Sequence, residues 1–427
     1  MPTSTPDWSA LASQNEKLVE GQRAAEPGTP VPDPHCSVGS ADQSGRHRAA
    51  GWPDAGPRWR IRGSHAAAAA TAVALALTGA SAAAAASRPP AGPAAAVASW
   101  HIVKRVHSGS NGNFTAIVAV GKTGGWAFDG NGESAPSAWR RSGSSWTRAP
   151  FPGKSDERVV VAKATSPTNV WAFTDGLSRS RALRWNGSKW SVARSFSQLI
   201  GGAVVLSRDN VWVFGEPTFP GTELGAWHFN GHAWARISSG ADLQGGSALS
   251  GSSIWAFDGF IVAHWNGHTW NRTSVRKLLP PKLKPTGINN PAVTAIYARS
   301  ADNVWAVGNG DDEDDGGPVV VLHYNGHAWS RVAGPAFAGF GVLGQVAPAG
   351  ASGLWIPNPG PESAPSQILH YAGGHLTAAA LPIRPRKLAV WSVAPIPGTS
   401  GALAGGLTHA TGNDGSQVVA VILQYGT

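Results

Sequence analysis

The sequence has one cysteine, Cys36, and one methionine, Met1, and only 14% of its 427 residues are charged. A single thiol forms no intramolecular disulfide, so the fold depends on packing rather than on cross-links. Uninterrupted helical stretches are scarce. Gly (54) and Pro (32) recur along the chain and break helices, while aromatic and β-branched residues fill most of what lies between. Disorder throughout is excluded, because the hydrophobic share is 42% and 20 tryptophans are available for a core. Concentrated positive charge is missing too. The net charge is +9 with a pI near 10.0, but residues 100–427 spread 26 basic side chains among 18 acidic ones. Basic clusters reduce to Arg276, Lys277, Lys282 and Lys284 in one Pro-rich stretch and Arg384, Arg386 and Lys387 in another. With no groove-reading motif, no nucleic-acid partner is expected.

The first hundred residues lack a core of their own. Residues 1–57 are polar and rich in Pro, Gly, Ser and Asp without apolar periodicity, which reads as disorder. Arg58, Arg60 and Arg62 then precede an uncharged run over residues 66–86, ending in small residues such as Ala82 to Ala84. A basic, then apolar, then small-residue order makes residues 58–87 a signal peptide or a single transmembrane anchor. The arginines hold the amino side in the cytoplasm in both cases, so the chain from residue 88 faces outward, secreted or anchored. Residues 88–99 are a Pro/Ala linker, and any membrane contact is through the 66–86 segment if it stays uncleaved.

From residue 100 onward the chain repeats itself. Val170-Trp171-Ala172-Phe173 recurs as Val211-Trp212-Val213-Phe214, Ile254-Trp255-Ala256-Phe257 and Val304-Trp305-Ala306-Val307, with weaker copies at Trp126, Trp355 and Leu403. These positions are 41 to 50 residues apart, the period of a propeller blade. A second phrase follows the strong copies: Trp185-Asn186-Gly187 to Trp190, Phe229-Asn230-Gly231 to Trp234, Trp265-Asn266-Gly267 to Trp270, and Tyr324-Asn325-Gly326 to Trp329. Asn-Gly between aromatic runs predicts a two-residue type I′ hairpin, which would pair Trp265 with His268 and His264 with Thr269. Four strands per period (A to D) make a blade, and seven periods make an all-β, seven-bladed β-propeller of four-stranded antiparallel blades. The last period stops after its C strand at Tyr425, whereas Trp100-His101-Ile102-Val103 reads as a D strand with nothing before it. Pairing of these N- and C-terminal strands therefore closes the ring and removes two edges.

The repeat resembles the secreted β-propeller repeats common in actinobacteria, which are similar in pattern to Kelch and galactose-oxidase-like propellers. It departs from Kelch in the glycine pair after strand B, reduced to Gly215 and Gly308 and intact only at Gly405-Gly406. The resemblance does not extend to a copper-radical oxidase of the galactose-oxidase type, whose Cys-Tyr cofactor needs a cysteine within the propeller, whereas Cys36 lies upstream of the 66–86 run.

Candidate chemistry is sparse. His264 and His268 are four apart, as are His228/His232 and His323/His327, but hairpin geometry sends each pair to opposite faces of the ribbon, so they hold no shared ion. The acidic run Asp311, Asp312, Asp314 and Asp315, with Glu313, lies between strands B and C of the fifth unit and is a possible Ca²⁺ site, as is Asp129 to Glu133 in the first. Calcium is the one cofactor considered. The A strands, including Thr115 to Val120, Val159 to Lys163, Ala203 to Leu206 and Leu388 to Val393, carry no carboxylate and no histidine. No catalytic residue is assigned.

Turns A to B and C to D keep their length and chemistry across the well-matched units, whereas connections B to C and D to A vary, from Asp258-Gly259 to the Arg272 to Pro291 stretch. In a meander the variable connections share one face, which is the arrangement of a recognition surface. Arg276, Lys277, Lys282, Lys284, Phe219 and Phe340 are its candidate ligand contacts. The expected function is non-catalytic binding of a protein, glycan or cell-wall ligand by a monomer. The alternatives are a polysaccharide hydrolase or lyase using Asp129, Asp175, Glu216 or Asp258, and a membrane-anchored sensor.

Overall fold

The computed structural model describes residues 98–107, 112–130, 134–176, 179–215, 225–281, 291–310, 317–339, 345–359, 366–383, 388–409 and 418–426. They form seven antiparallel four-stranded sheets. After β1 (Trp100–His107), blade 1 is β2 (Phe114–Val120), β3 (Gly124–Asp129), β4 (Ser137–Ser142) and β5 (Ser145–Ala149). Blade 2 is β6 (Glu157–Ser166), β7 (Asn169–Gly176), β8 (Ser180–Trp185) and β9 (Trp190–Phe196). Blade 3 is β10 (Ile200–Ser207), β11 (Asn210–Gly215), β12 (Ala226–Phe229) and β13 (Trp234–Ile237). Blade 4 is β14 (Gly245–Ser250), β15 (Ser253–Asp258), β16 (Ile261–Trp265) and β17 (Trp270–Ser274). Blade 5 is β18 (Ala292–Ser300), β19 (Asn303–Asn309), β20 (Gly317–Tyr324) and β21 (Trp329–Gly339). Blade 6 is β22 (Ala347–Ala349), β23 (Gly353–Asn358), β24 (Gln367–Ala372) and β25 (His375–Ala378), and blade 7 holds β26 (Leu388–Pro395), β27 (Ala402–His409) and β28 (Val418–Tyr425).

The seventh sheet runs β26-β27-β28-β1, so the strand that begins the propeller completes its last blade. Trp100 pairs with Tyr425 and His101 with Gln424, and pairing continues to His107 opposite Val419. The expected closure is present and extends four residues beyond Val103.

Sheets stacked on both faces must be apolar on both faces, and the second strands obey this: β7 is buried from Asn169 to Asp175 and β23 along its whole length. Between blades the packing repeats. Trp126 of blade 1 touches Trp185 (4.9 Å) and Trp190 (5.1 Å) of blade 2. Trp171 meets Phe229 and Trp234, Trp212 meets Trp265 and Trp270, Trp255 meets Tyr324 and Trp329, and Trp305 meets Tyr371. Trp355 of blade 6 then meets Tyr425 at 4.7 Å and Trp100 at 5.4 Å. Trp100 thus occupies the place that Trp190, Trp234, Trp270 and Trp329 hold in other blades. Offset and edge-on ring pairs of this kind contribute about 0.5–1.5 kcal/mol each beyond their area burial.

The seam between blades 7 and 1 departs from the pattern. Leu403 stands where the other blades have Trp, in one apolar cluster with Trp146. Arg141 replaces the aromatic at the end of the third strand, is 8% exposed, and donates from Nη2 to Gln424 Oε1 at 2.9 Å. Its Nε donates to the Gly143 carbonyl, and burial lowers its pKa.

Three expectations need correction. The hairpins are not two-residue turns: Trp265 pairs with Trp270 and His264 with Asn271, leaving the connection 266–269. Asn266 Oδ1 accepts from the backbone N–H of His268 and of Thr269, so the asparagine side chain caps a longer loop. The Arg272 to Pro291 stretch is not all connection, since β17 reaches Ser274 and residues 276–278 form a 3₁₀ turn. Finally, an innermost strand does carry a carboxylate, because β6 begins at Glu157.

Candidate functional site

First strands begin and second strands end on the face where the B to C and D to A connections emerge. At blade 1, Asp129 closes β3. It is 7% exposed and accepts from the backbone N–H of Asn113 (3.0 Å) and from Ser137 Oγ (3.4 Å). At blade 2, Glu157 is fully buried beneath Arg181, whose Nε and Nη2 both donate to it while Nη2 also donates to the Pro152 carbonyl. Beside them, Asp175 accepts from Nε and Nη2 of Arg158, a side chain half open to solvent. Asp129, Asp175 and Asp258 lie at strand ends rather than in the loops to which they were assigned. All three carboxylates accept hydrogen bonds, Asp258 from a backbone N–H of Asp242, and Asp129 and Asp175 hold structure through theirs.

Blade 4 differs. Burial raises the pKa of Asp258, and the charge of Asp242 raises it further, while a backbone N–H of Asp242 opposes both. Nearby, the Arg276 guanidinium lies 3.8 Å from the Phe260 ring centre, a cation–π contact at the rim. Lys277 is exposed next to it. This is the part of the predicted ligand surface that the structure brings together. Phe219, Lys282, Lys284, Phe340, Glu216 and the acidic run Asp311, Asp312, Asp314 and Asp315 lie outside the described residues. Among the described residues no three His, Cys, Asp or Glu side chains converge as a metal site.

The mouth of the channel is crossed. Gln345, ahead of blade 6 and 6% exposed, donates from Nε2 to the Val160 carbonyl of blade 2 at 3.4 Å. Val160 is skipped in the register between Val159 and Val161, and the same irregularity brackets Thr115, Gly201, Thr294 and Trp391. These bulges turn the inner strands at the axis. Nothing in a two-residue periodicity announces a single extra residue, so they were invisible in the sequence.

The repeated histidines have a structural task. His228, His264, His323 and His370 stack on Trp212, Trp255, Trp305 and Trp355 with centroids 4.2 to 4.4 Å apart. His228 Nε2 lies 3.1 Å from Asn210 Oδ1, which also accepts from Trp212 Nε1, and His264 Nε2 lies 3.1 Å from Ser253 Oγ. Burial lowers all four pKa values, because it disfavours the charged form of the ring. His268 sits exposed in its loop, apart from His264.

Two residues escaped sequence reasoning. Arg141 was findable, because it precedes Trp146 by the same five residues that separate Trp185 from Trp190. Lys163, opposite Trp171 on β6, has its pKa lowered by burial, and an isolated lysine in a strand gives no such signal.

No protein-family model matches the chain, and no curated protein is significantly similar in sequence. Similarity lies in the fold. A YCF48 structure bound to a D1 peptide is 10% identical, with a TM-score of 0.50 over 78% of this chain and 99% of that one. The RRP9 WD40 repeats give 12%, 0.50, 76% and 97% in the same order. The extracellular domain of the putative hybrid two component system BT4673 from B. thetaiotaomicron is 9% identical, with a TM-score of 0.51 over 76% of this chain and 40% of that one. The class is therefore the seven-bladed β-propeller, a fold that hosts unrelated functions.

Proposed function

We propose that this is an extracytoplasmic, non-catalytic recognition propeller that binds its ligand on the face of variable connections. The observation that carries the reading is the contrast between the two faces. One is built mainly from turns of two to four residues, Asn-capped in the hairpins of blades 2 to 5, and the other carries connections that range from two residues after Asp258 to seventeen after Ser274. On that second face Asp129 and Asp175 are occupied by Asn113, Ser137 and Arg158, which disfavours the hydrolase alternative. A peptide or protein is the first ligand class to test, in keeping with the D1 peptide on the YCF48 propeller; glycan and cell-wall polymer follow. The outward address rests on Arg58, Arg60, Arg62 and the 66–86 run, which lies outside the described residues. Among the described residues no helix is long and apolar enough to cross a membrane. The similarity to secreted actinobacterial repeats points to the same address.

The test presents the full chain to peptide and glycan arrays, followed by a reducing-end assay on any glycan retained. Binding that is lost in the double substitution Arg276→Ala, Lys277→Ala, without turnover, is expected. Release of new reducing ends would replace this reading with the hydrolase. Mass spectrometry of the mature amino terminus decides the address: cleavage near Ala84 is expected for export, and an intact Met1 in membranes indicates an anchor.

A further inference from the structure

A cleft of about 620 Å³ opens between blades 2 and 3 on the opposite face, the one built from constant turns. Its walls are the turn joining β6 to β7, the hairpin after β8 and the turn joining β10 to β11, so short hydrogen-bonded turns hold it in shape. Arg184 and Arg208 both line it, together with Thr165, Ser191 and Ser207, whose hydroxyl groups also bond Asn169 Nδ2, the Arg184 carbonyl and the Asp209 backbone N–H in that order. Arg184 donates from Nε to Asn169 Oδ1 at 3.3 Å, and its guanidinium lies over the Trp171 ring, 6.0 Å from the centre. Arg208 has only a long contact to Asp209, 3.5 Å, with both side chains well exposed. Burial and the charge of Arg208 both lower the pKa of Arg184, with Asp209 opposing them, which places the two guanidinium groups within electrostatic reach. An anion between them relieves that repulsion and takes charge-assisted hydrogen bonds.

This pairing does not recur. The residues equivalent to Arg184 in blades 3 to 6 are the stacked histidines His228, His264, His323 and His370. The turns equivalent to that of Arg208 carry Pro167, Gly251 and Ala301. The cleft falls within the ~300–1,000 Å³ of small-molecule sites, far larger than a lone ion needs. Its lining of hydroxyls suits a polyhydroxylated ligand rather than an apolar one.

The geometry points to a second ligand site in this cleft, specific for a carboxylated saccharide whose carboxylate sits between Arg184 and Arg208 and whose hydroxyls meet Thr165, Ser191 and Ser207. This goes beyond the proposed function, which concerns the other face. The test is calorimetric titration of the full chain at low salt with trigalacturonate, a hyaluronan tetrasaccharide, a neutral galactan trisaccharide and inorganic phosphate. Saturable binding of a carboxylated probe is expected, weakened by added salt, with none for the neutral one. Arg208→Glu, on an exposed turn, should weaken it roughly tenfold or more without moving the melting temperature, and Arg276→Ala on the opposite face should leave it unchanged. Equal binding by Arg208→Glu, or no binding of either carboxylated probe, overturns the site. Phosphate that binds as tightly as trigalacturonate overturns the saccharide assignment.

Discussion

Replacing Trp100 by alanine tests the closure of the ring directly. Trp100 is 3% exposed and packs against both Trp355 and Tyr425. Truncating a buried tryptophan costs about 3–5 kcal/mol, combining lost burial with the cavity left behind. The compact unit spans Ala96–Thr427, and at ~2.1 cal/mol/K per residue its unfolding entropy is roughly 0.7 kcal/mol/K, so that cost lowers the melting temperature by about 4–7 °C. Differential scanning calorimetry on Trp100→Ala and Trp190→Ala should give shifts of similar size, because both residues are buried and hold equivalent places. Val192→Ala, at a side chain 46% exposed, is the control with almost no shift. Removing residues 98–107 altogether uncovers the edge of β28, and a synthetic peptide of that sequence should then bind the truncated chain and restore part of the loss. A Trp100→Ala protein that melts like its parent refutes the seam as a stabilising element, and with it the equivalence of Trp100 to the other D-strand tryptophans.

Three further outcomes follow from the packing. The four stacked histidines have folded-state pKa values below the 6.5 of a free imidazole, so the unfolded chain takes up protons first as pH falls. Their contribution is complete above that value, declines below it and levels off once the folded rings protonate. Urea midpoints should drop across that window, and less steeply in His264→Gln, whereas identical pH profiles for the two proteins would remove the stacked rings as the cause. Glu157→Gln leaves the buried Arg181 charge uncompensated and should destabilise by about 3 kcal/mol or more, read as a lowered urea midpoint, while Arg158→Ala, which removes a half-exposed cation from the buried Asp175, should cost less, about 1–3 kcal/mol. Gly267→Ala puts a Cβ at φ +99° and 3.1 Å from Ser252 Cβ, and should lower stability by about 1 kcal/mol or more, whereas His268→Ala beside it should be neutral in the same melt.

Repetition explains how much was legible in the chain. Trp126, Trp171, Trp212, Trp255, Trp305 and Trp355 recur because each blade solves the same packing problem, and their spacing, with Leu403 in the seventh place, implied seven sheets and a borrowed strand without any knowledge of contacts. Exceptions to the repeat were harder. The hairpins are two residues longer than Asn-Gly alone predicts, because that pair signals a turn but does not show that the Asn266 side chain takes over backbone hydrogen bonds. The Asp129 and Asp175 carboxylates looked available because their partners Asn113 and Arg158 arrive from a neighbouring strand. For the ligand face, only Arg276, Lys277 and the strand ends could be set in place.

Local sequence alone determined the strand pattern, the blade count and the pairing of Trp100 with the last blade, since alternation and turn chemistry act between residues close in the chain or equivalent in the repeat. Tertiary structure alone decided that Arg141 bonds Gln424 across the seam, that Gln345 reaches Val160 over the channel, and that Arg184 faces Arg208 across a cleft. Those pairs are brought together only by stacking one sheet on another or by bending the row of sheets into a ring, and no period along the chain encodes them.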